Sequence, residues 1–215
     1  MKHFVGLDLG QVADFTALCV IEKIETVKST YEIIKGFRPG PKPEVNPIYH
    51  LRHIERPKLG TPYPEIVDRT RQVLLALPVE DTSLIVDATG CGRPVFDMFK
   101  KAGLNPVGIS IHGGGTVTRA GSFINVPKRD LVGVLQVLFQ SGRLKVAESL
   151  PDAKTFIEEL LNFKVKINTK TAHDSYEAWR EGIHDDLVLA VALAAWYAEK
   201  RQPAARALGR KPTGF

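Results

Sequence analysis

The sequence predicts an α/β fold: a mixed sheet with an antiparallel opening meander and helices on both faces. Three apolar, strand-like segments precede the first helical pattern, and their connections allow antiparallel pairing. Beyond them, strand-like and helix-like segments alternate, which is typical of parallel strands joined by crossover helices. The later strands are therefore expected to run parallel to the first strand.

The opening meander is predicted to contain three strands, over residues 3–9, 15–22 and 31–37. The next region, residues 38–61, contains five prolines and is expected to form a long loop or an irregular strand. Its two histidines, His50 and His53, lack the spacing of zinc ligands, so we expect them to face solvent.

Apolar periodicity and turn residues define the elements that follow. A segment over residues 116–125 begins after a run of glycines and is expected to form a hairpin or a flap. The other predicted elements are a helix over 63–78, a strand over 83–88, a helix ending at 101, a strand over 105–111, a helix over 126–141, a strand over 143–146, a helix over 152–162, an edge strand over 163–168 and an apolar helix over 182–196.

Four acidic residues adjoin apolar segments. Asp8 and Asp87 end predicted strands, and Asp185 and Asp186 open the apolar helix. Helix capping alone is one explanation for the second pair, because helix N-termini favour acids. The carboxyl ends of strands and the adjoining helix termini also meet in one crevice. Carboxylates gathered there repel one another unless a cation lies between them, and oxygen ligands suit Mg²⁺ or Mn²⁺.

Length and composition indicate one domain, expected over residues 3–200. A chain of 215 residues with 44% hydrophobic content can bury a sizeable core. The sequence has no apolar run long enough to span a bilayer and no signal-peptide pattern, so we expect no membrane partner and a cytoplasmic location. Cys19 and Cys91 form no metal-type pair and fit a reducing compartment.

The formal net charge of +5 permits nucleic-acid binding without requiring it. Much of the excess lies at the C-terminus, where five basic residues and one acidic residue follow Ala198. Residues 201–215 are expected to form a disordered basic tail, either a DNA-contacting arm or a solubilising end. Within the domain, four basic residues bracket the predicted crevice and are candidate DNA contacts: Arg93, Arg119, Lys128 and Arg129.

Two glycine-rich segments suggest other chemistries that the sequence does not support. Residues 89–94 follow a predicted strand, but Val95 occupies the place of the third glycine of a dinucleotide-binding motif. His112 and the three glycines after it are similar to an esterase oxyanion loop, yet Ser110 lies in no nucleophile elbow. Acyl transfer is therefore rejected.

Three motifs resemble, in order and context, the acidic motifs in the nuclease domain of phage terminase large subunits. They are Gly6-Leu7-Asp8-Leu9-Gly10, Ile85-Val86-Asp87-Ala88-Thr89-Gly90 and His184-Asp185-Asp186-Leu187. Two intervening segments also resemble parts of that family, Asn125-Val126-Pro127-Lys128-Arg129-Asp130-Leu131 and Ser141-Gly142-Arg143-Leu144. The resemblance therefore covers nearly the whole chain.

This resemblance implies a ribonuclease-H-like fold and a metal-dependent endonuclease that cuts concatemeric, double-stranded viral DNA during genome packaging. Carried over by position, it implies that Asp8, Asp87 and Asp185 are catalytic metal ligands and that Asp186 is a fourth ligand. Two Mg²⁺ or Mn²⁺ ions are expected, with Asp8 bridging them, Asp87 completing one site and the Asp185–Asp186 pair the other. Consecutive helical side chains diverge by about 100°, so both members of that pair need not coordinate directly.

The chain departs from this family in one respect. Family members usually carry an N-terminal packaging ATPase, whereas this sequence has no Gly-x-x-x-x-Gly-Lys-Ser/Thr motif. We therefore expect either a separated nuclease domain or a stand-alone relative whose motor is another chain. The partners that the resemblance implies are double-stranded DNA, a separate packaging ATPase, a small terminase subunit and a portal.

Two other functions remain open at the level of sequence. Residues 6–10 also resemble the first phosphate motif of actin-like ATPases and sugar kinases, although those proteins have two such domains and this chain has room for about one. The other alternative is a non-catalytic DNA-binding packaging module with a degenerate site. ATP binding would favour the first alternative, and metal-dependent cutting of plasmid DNA would reject it.

Overall fold

The computed structural model describes residues 1–10, 14–25, 46–89, 92–162 and 185–200. The strands are β1 (Lys2–Asp8), β2 (Ala17–Ile24), β3 (Ile48–Glu55), β4 (Thr82–Asp87), β5 (Val107–His112), β6 (Thr118–Ala120), β7 (Phe123–Pro127) and β8 (Leu144–Val146). The helices are α1 (Tyr63–Leu75), α2 (Gly92–Lys101), α3 (Lys128–Gln140), α4 (Ala153–Asn162) and α5 (Asp186–Lys200), with a short 3-10 turn at Val79–Asp81.

All eight strands belong to one mixed sheet, in the order β6-β7-β5-β4-β1-β2-β3-β8. β2 pairs antiparallel with both β1 and β3, as the predicted meander requires. β4, β5 and β7 continue the sheet on the other side of β1 in parallel pairing, and β8 joins parallel to β3. The prediction of a mixed sheet with an antiparallel opening is therefore confirmed.

The third strand of the meander does not lie where the sequence pattern placed it. Residues 31–37 are outside the described residues, and β3 falls within the region predicted as a long loop or irregular strand. Of the two predicted alternatives, the irregular strand is the one that residues 48–55 form, and Pro47 and Pro57 flank this strand without interrupting it. The pairing register with β2 shifts and passes over Arg52, so the buried residues of β3 do not alternate regularly.

The helices form one layer on each face of the sheet, as predicted. α1 and α2 pack on the face that carries Val5 and Leu7 of β1. α3, α4 and α5 pack on the opposite face, which carries Phe4 of β1 and Cys19 of β2. Burial raises the pKa of the Cys19 thiol to about 12, so Cys19 behaves as an apolar core residue.

Most of the other predicted elements are present with shifted ends. The segment over residues 116–125 forms the β6–β7 hairpin, and β7 also joins the sheet beside β5. No helix in the described part of the chain is long and apolar enough to cross a bilayer. The predicted edge strand over residues 163–168, the tail over 201–215 and Cys91 lie outside the described residues.

α5 crosses the middle of the sheet, where most of its residues are buried. A Cβ added to Gly6 of β1 would lie 2.0 Å from the carbonyl oxygen of Ala190, so glycine permits the close contact between strand and helix. Further along the same contact, the rings of Phe4 and Tyr197 meet edge to face with centroids 6.2 Å apart. α5 therefore runs antiparallel to β1, and its first turn reaches the carboxyl end of the strand.

Three side chains hold the C-terminal end of α5. At its C-terminal end, the ammonium group of Lys23 donates to the carbonyl oxygen of Ala198 at 2.8 Å. Tyr49 donates its hydroxyl hydrogen to Glu199 at 2.5 Å, and Arg143 donates to the same carboxylate at 2.9 Å. These contacts fix the helix across β2 and β3, and therefore fix the position of its N-terminal residues.

Candidate active site

Asp8 and Asp87 lie side by side at the carboxyl ends of two adjacent parallel strands. The register pairs Leu7 of β1 with Val86 of β4, so the next residue on each strand is one of these acids. Asp8 is 7% exposed, and its carboxyl group donates a hydrogen bond to the Asp87 carboxylate. Such a bond requires that the pair shares one proton.

Thr89 fixes the orientation of Asp87. Its backbone N–H and its hydroxyl group donate to Oδ1 of Asp87 at 2.8 Å and 2.5 Å. The hydroxyl oxygen in turn accepts the backbone N–H of Ile111 at 2.7 Å, which ties the turn to β5. Burial raises the pKa of Asp87, whereas the two hydrogen bonds from Thr89 oppose that rise.

Asp185 and Asp186 enter the same region from the start of α5. Asp186 precedes Ala190 by about 6 Å of helix, and Asp8 follows Gly6 by about 6.6 Å of strand, which brings both acids to the same level. Asp186 is 6% exposed and lies 3.8 Å from a guanidinium nitrogen of Arg56. Asp185 accepts a hydrogen bond from the ammonium group of Lys128 at 3.3 Å.

Helix capping by side chains at this terminus involves a residue from another helix. Glu159 of α4 accepts the backbone N–H of Leu187 at 3.1 Å. The carbonyl oxygen of Asp185 accepts the N–H of Leu189 at 2.8 Å, which makes Asp185 the N-cap residue immediately before α5. Capping of the Leu187 N–H therefore gives no reason for the two adjacent acids.

The electrostatics of Asp8 show that the four acids act on one another. Its pKa is raised well above the ordinary range, first by burial and then by the charges of three acids, in the order Asp87, Asp186, Asp185. Repulsion among carboxylates in a buried place is relieved by a shared proton or by a cation.

This donor set fits a hard divalent cation. Mg²⁺ and Mn²⁺ prefer oxygen ligands, and Mg²⁺ is often held by only one or two carboxylates together with waters and substrate phosphate oxygens. The Asp8–Asp87 pair supplies two such carboxylates at the carboxyl ends of β1 and β4. Across the described ranges, no three acidic, histidine or cysteine side chains converge tightly enough to enclose an ion by themselves. The fit therefore depends on ligands from substrate and water.

The predicted DNA-contacting residues lie around this end of the sheet or on elements that lead from it. Lys128 begins α3 and reaches Asp185. Arg129 donates to the carbonyl oxygen of Gly115 at 2.9 Å and so ties the glycine-rich loop to α3. Arg119 is exposed on β6. Arg93 lies in the first turn of α2, and its side chain is outside the described part of the chain.

Three residues of this region were not singled out from the sequence. Thr89 follows Asp87 by two positions, and that spacing is a recognisable signal, because an aspartate often accepts a hydrogen bond from the residue two positions on. Arg56 and Glu159 carry no such signal. They are distant in sequence from each other and from Asp186, and only the fold brings them together.

Comparison with solved structures identifies proteins of similar fold. No family model matches the chain, and no curated protein matches it. The large terminase nuclease from thermophilic phage G20c superimposes with a TM-score of 0.54 and 18% identity, over 90% of this chain and 80% of that chain. This chain has the fold of a large terminase nuclease. The ribonuclease-H-like sheet predicted from the sequence is thereby confirmed.

Two further structures are similar. The large terminase nuclease of phage G20c with bound zinc gives a TM-score of 0.52 and 19% identity, over 90% of this chain and 79% of that chain. Thermus thermophilus RuvC covers 92% of this chain and 93% of its own, at 14% identity and a TM-score of 0.38. The last score is too low to establish a shared fold, so the terminase-nuclease likeness rests on the first two comparisons.

Proposed function

We propose that this chain is a metal-dependent endonuclease that hydrolyses phosphodiester bonds of double-stranded DNA, as in the cutting of concatemeric viral DNA during packaging. The proposal rests on the Asp8–Asp87 pair at the carboxyl ends of β1 and β4, together with the charges of Asp185 and Asp186, which act on the Asp8 carboxyl group. The likeness of fold to a terminase nuclease supports it, as does the zinc bound in one of those structures.

The proposed roles of the acids follow from their positions. Asp8 is central, because the charges of the other three acids all act on its carboxyl group, and it would bridge two Mg²⁺ or Mn²⁺ ions. Asp87, oriented by Thr89, would complete one site. Asp185 and Asp186 would complete the other, and the charges of both act on Asp8.

Phosphodiester hydrolysis needs an activated water, a stabilised leaving oxygen and neutralisation of the phosphoryl charge, and two bound divalent cations can supply these. The protein's own residues prepare the site for the substrate. A cation held by Asp8 and Asp87 would offset their repulsion, and the proton that the two carboxyl groups share would then pass to solvent. Lys128 adds a fixed positive charge at the edge of the carboxylates, where a phosphate would enter.

We propose that the substrate is held mainly through its phosphates. Lys128, Arg129, Arg119 and Arg93 are the candidate contacts: Lys128 and Arg129 begin α3, Arg119 lies on β6 and Arg93 lies in the first turn of α2. Such contacts position DNA without reading its sequence. The proposed partners are a packaging ATPase on another chain, a small terminase subunit and a portal, acting in the cytoplasm of the host cell.

The test is incubation of the purified protein with supercoiled plasmid and Mg²⁺, Mn²⁺ or a chelator. Nicked and linear products are expected with either metal and not with chelator. Asp8→Asn should reduce the rate by at least about 100-fold, because a central ligand is lost. Asp14→Asn is the matched control, since Asp14 is exposed and outside the carboxylate group, and it should retain most activity.

Each contrary outcome identifies another function. Asp8→Asn cutting as fast as the parent would show that the carboxylate site is not the catalytic one. DNA binding without metal-dependent cutting would favour the non-catalytic packaging module. ATP binding in calorimetry, with no cutting under any metal, would favour the actin-like or sugar-kinase alternative.

A further inference from the structure

Arg56 is a buried cation immediately after β3, beside the start of α5. Its side chain is 15% exposed and forms an ion pair with Glu159 of α4. The same guanidinium nitrogen lies 3.8 Å from Asp186, and the guanidinium carbon lies 5.0 Å from the centre of the Phe15 ring. Arg56 therefore lies beside an acid of the proposed site.

Glu159 links this cation to the helix that carries the acids. One carboxylate oxygen of Glu159 pairs with Arg56, and the other accepts the N–H of Leu187, the residue after Asp186. The Glu159 side chain is 7% exposed, so both interactions are shielded from water. A single carboxylate thus holds the backbone next to Asp186 and the guanidinium beside it.

The net charge of this arrangement matters for its role. Arg56 and Glu159 form a neutral pair, so together they alter the field at the carboxylates little at longer range. A buried ion pair is weak evidence for stability, because desolvation offsets much of the attraction. What the pair does provide is a fixed position for Asp186, since the planar guanidinium group has a defined direction.

We propose that Arg56 and Glu159 are positioning residues that orient the Asp186 carboxylate for binding of a divalent cation. This inference rests on the proposed function, because it assumes that the carboxylate site binds metal. It adds two residues that do not themselves coordinate the ion. Groups that orient metal ligands in this way typically change metal affinity by about 10- to 100-fold when they are replaced.

Two substitutions test the inference through metal affinity. Glu159→Gln is nearly isosteric and keeps an acceptor for the Leu187 N–H, but it leaves the charge of Arg56 uncompensated beside Asp186. That charge then competes with the metal for the Asp186 carboxylate. Arg56→Lys keeps the charge and loses the planar geometry. Both variants should bind Mn²⁺ about 10- to 100-fold more weakly than the parent.

The matched control is Arg69→Gln. Arg69 pairs with Glu55, the residue before Arg56, through two hydrogen bonds of 2.8 Å and 2.7 Å, and its side chain is 44% exposed. This substitution breaks a similar pair close by in the chain but outside the carboxylate group. It should leave the Mn²⁺ dissociation constant of the parent unchanged.

The measurement is isothermal calorimetry of Mn²⁺ binding to the full chain, with melting temperature recorded for each variant. A lower melting temperature with an unchanged dissociation constant in both Glu159→Gln and Arg56→Lys would overturn the inference, because a purely structural role predicts that pattern. Should the parent itself bind no Mn²⁺, the proposed function and this inference would both be wrong. Weaker binding in both variants, with Arg69→Gln unchanged, is the expected result.

Discussion

Asp8 is a buried acid whose protonation depends on the rest of the site. Burial and the charges of Asp87, Asp186 and Asp185 raise its pKa well above the usual range. A carboxyl group with a raised folded-state pKa stabilises folding below its unfolded pKa of about 3.9, and that contribution is lost as the pH rises through the raised value. In chelator, Asp8 therefore lowers stability progressively above about pH 4.

Asp8→Asn should remove this pH dependence. The amide N–H can replace the carboxyl proton in the hydrogen bond to Asp87, and it does not ionise. In chelator, the melting temperature of the variant minus that of the parent should therefore increase as the pH is raised from about 4 to about 8. Thermal unfolding monitored by fluorescence over this pH range checks the expectation. A difference that stays constant with pH would mean that burial and the neighbouring acids do not raise the pKa of Asp8.

At the residue scale, the four acids could be selected from sequence because each adjoins an apolar segment. The orientation of Asp185 and Asp186 relative to Asp8 could not be predicted, since it depends on the rotation of α5 about its axis. That rotation is set by the contact of Ala190 with Gly6, which links residues far apart in the chain. Arg56 and Glu159 were missed for the same reason.

At the scale of elements, the β1–α5 contact sets the geometry of the site. A methyl group on Gly6 would overlap a backbone oxygen, which cannot rotate away as a side chain can. Gly6→Ala should therefore destabilise the fold by about 3 kcal/mol, at the upper end of overpacking costs. For a chain of this size that corresponds to a fall of about 6–12 °C in melting temperature.

Gly133→Ala is the control for that substitution. Gly133 lies within α3, and a Cβ added there meets nothing within 4 Å. Replacing it should stabilise the protein by about 0.5–1 kcal/mol, because alanine loses less conformational freedom in a helix. Thermal melts of both variants check the pair of predictions. Equal effects of the two substitutions would show that β1 and α5 are not in close contact.

The element types were largely predictable, whereas their pairing was not. Periodicity identified α1 and α3, and alternation with turn residues identified β4 and β5. β3 was not identified as the third strand of the meander, because its register shift breaks the regular alternation and because prolines flank it. The pairing of β8 with β3 joins segments about 90 residues apart, and no local pattern encodes such a neighbour.

At the scale of the whole molecule, positive charge at the carboxyl edge of the sheet should make DNA binding dependent on salt. Each phosphate contact releases counterions, so the logarithm of the association constant should fall linearly with the logarithm of salt concentration. Arg119→Ala should weaken binding and reduce the slope by about one. Fluorescence anisotropy with a labelled duplex over a series of KCl concentrations checks this.

Lys101→Ala provides the comparison. Lys101 is exposed at the end of α2. This helix connects the parallel strands β4 and β5 and therefore runs away from the carboxyl edge of the sheet. Its replacement should leave the salt slope unchanged. Binding that does not respond to salt, or a strong preference for one short sequence, would contradict the phosphate-contact hypothesis.

The direction of α5 also makes one position suitable for attaching a reporter group. The helix begins beside Asp8 and ends near the amino end of β1, where Lys23 and Tyr49 hold its last turn. Fifteen helical residues extend about 22 Å, so Lys200 lies roughly that far from Asp186. A fluorophore attached at Lys200 would stand clear of a duplex at the carboxylates, yet close enough for energy transfer from a dye on that DNA.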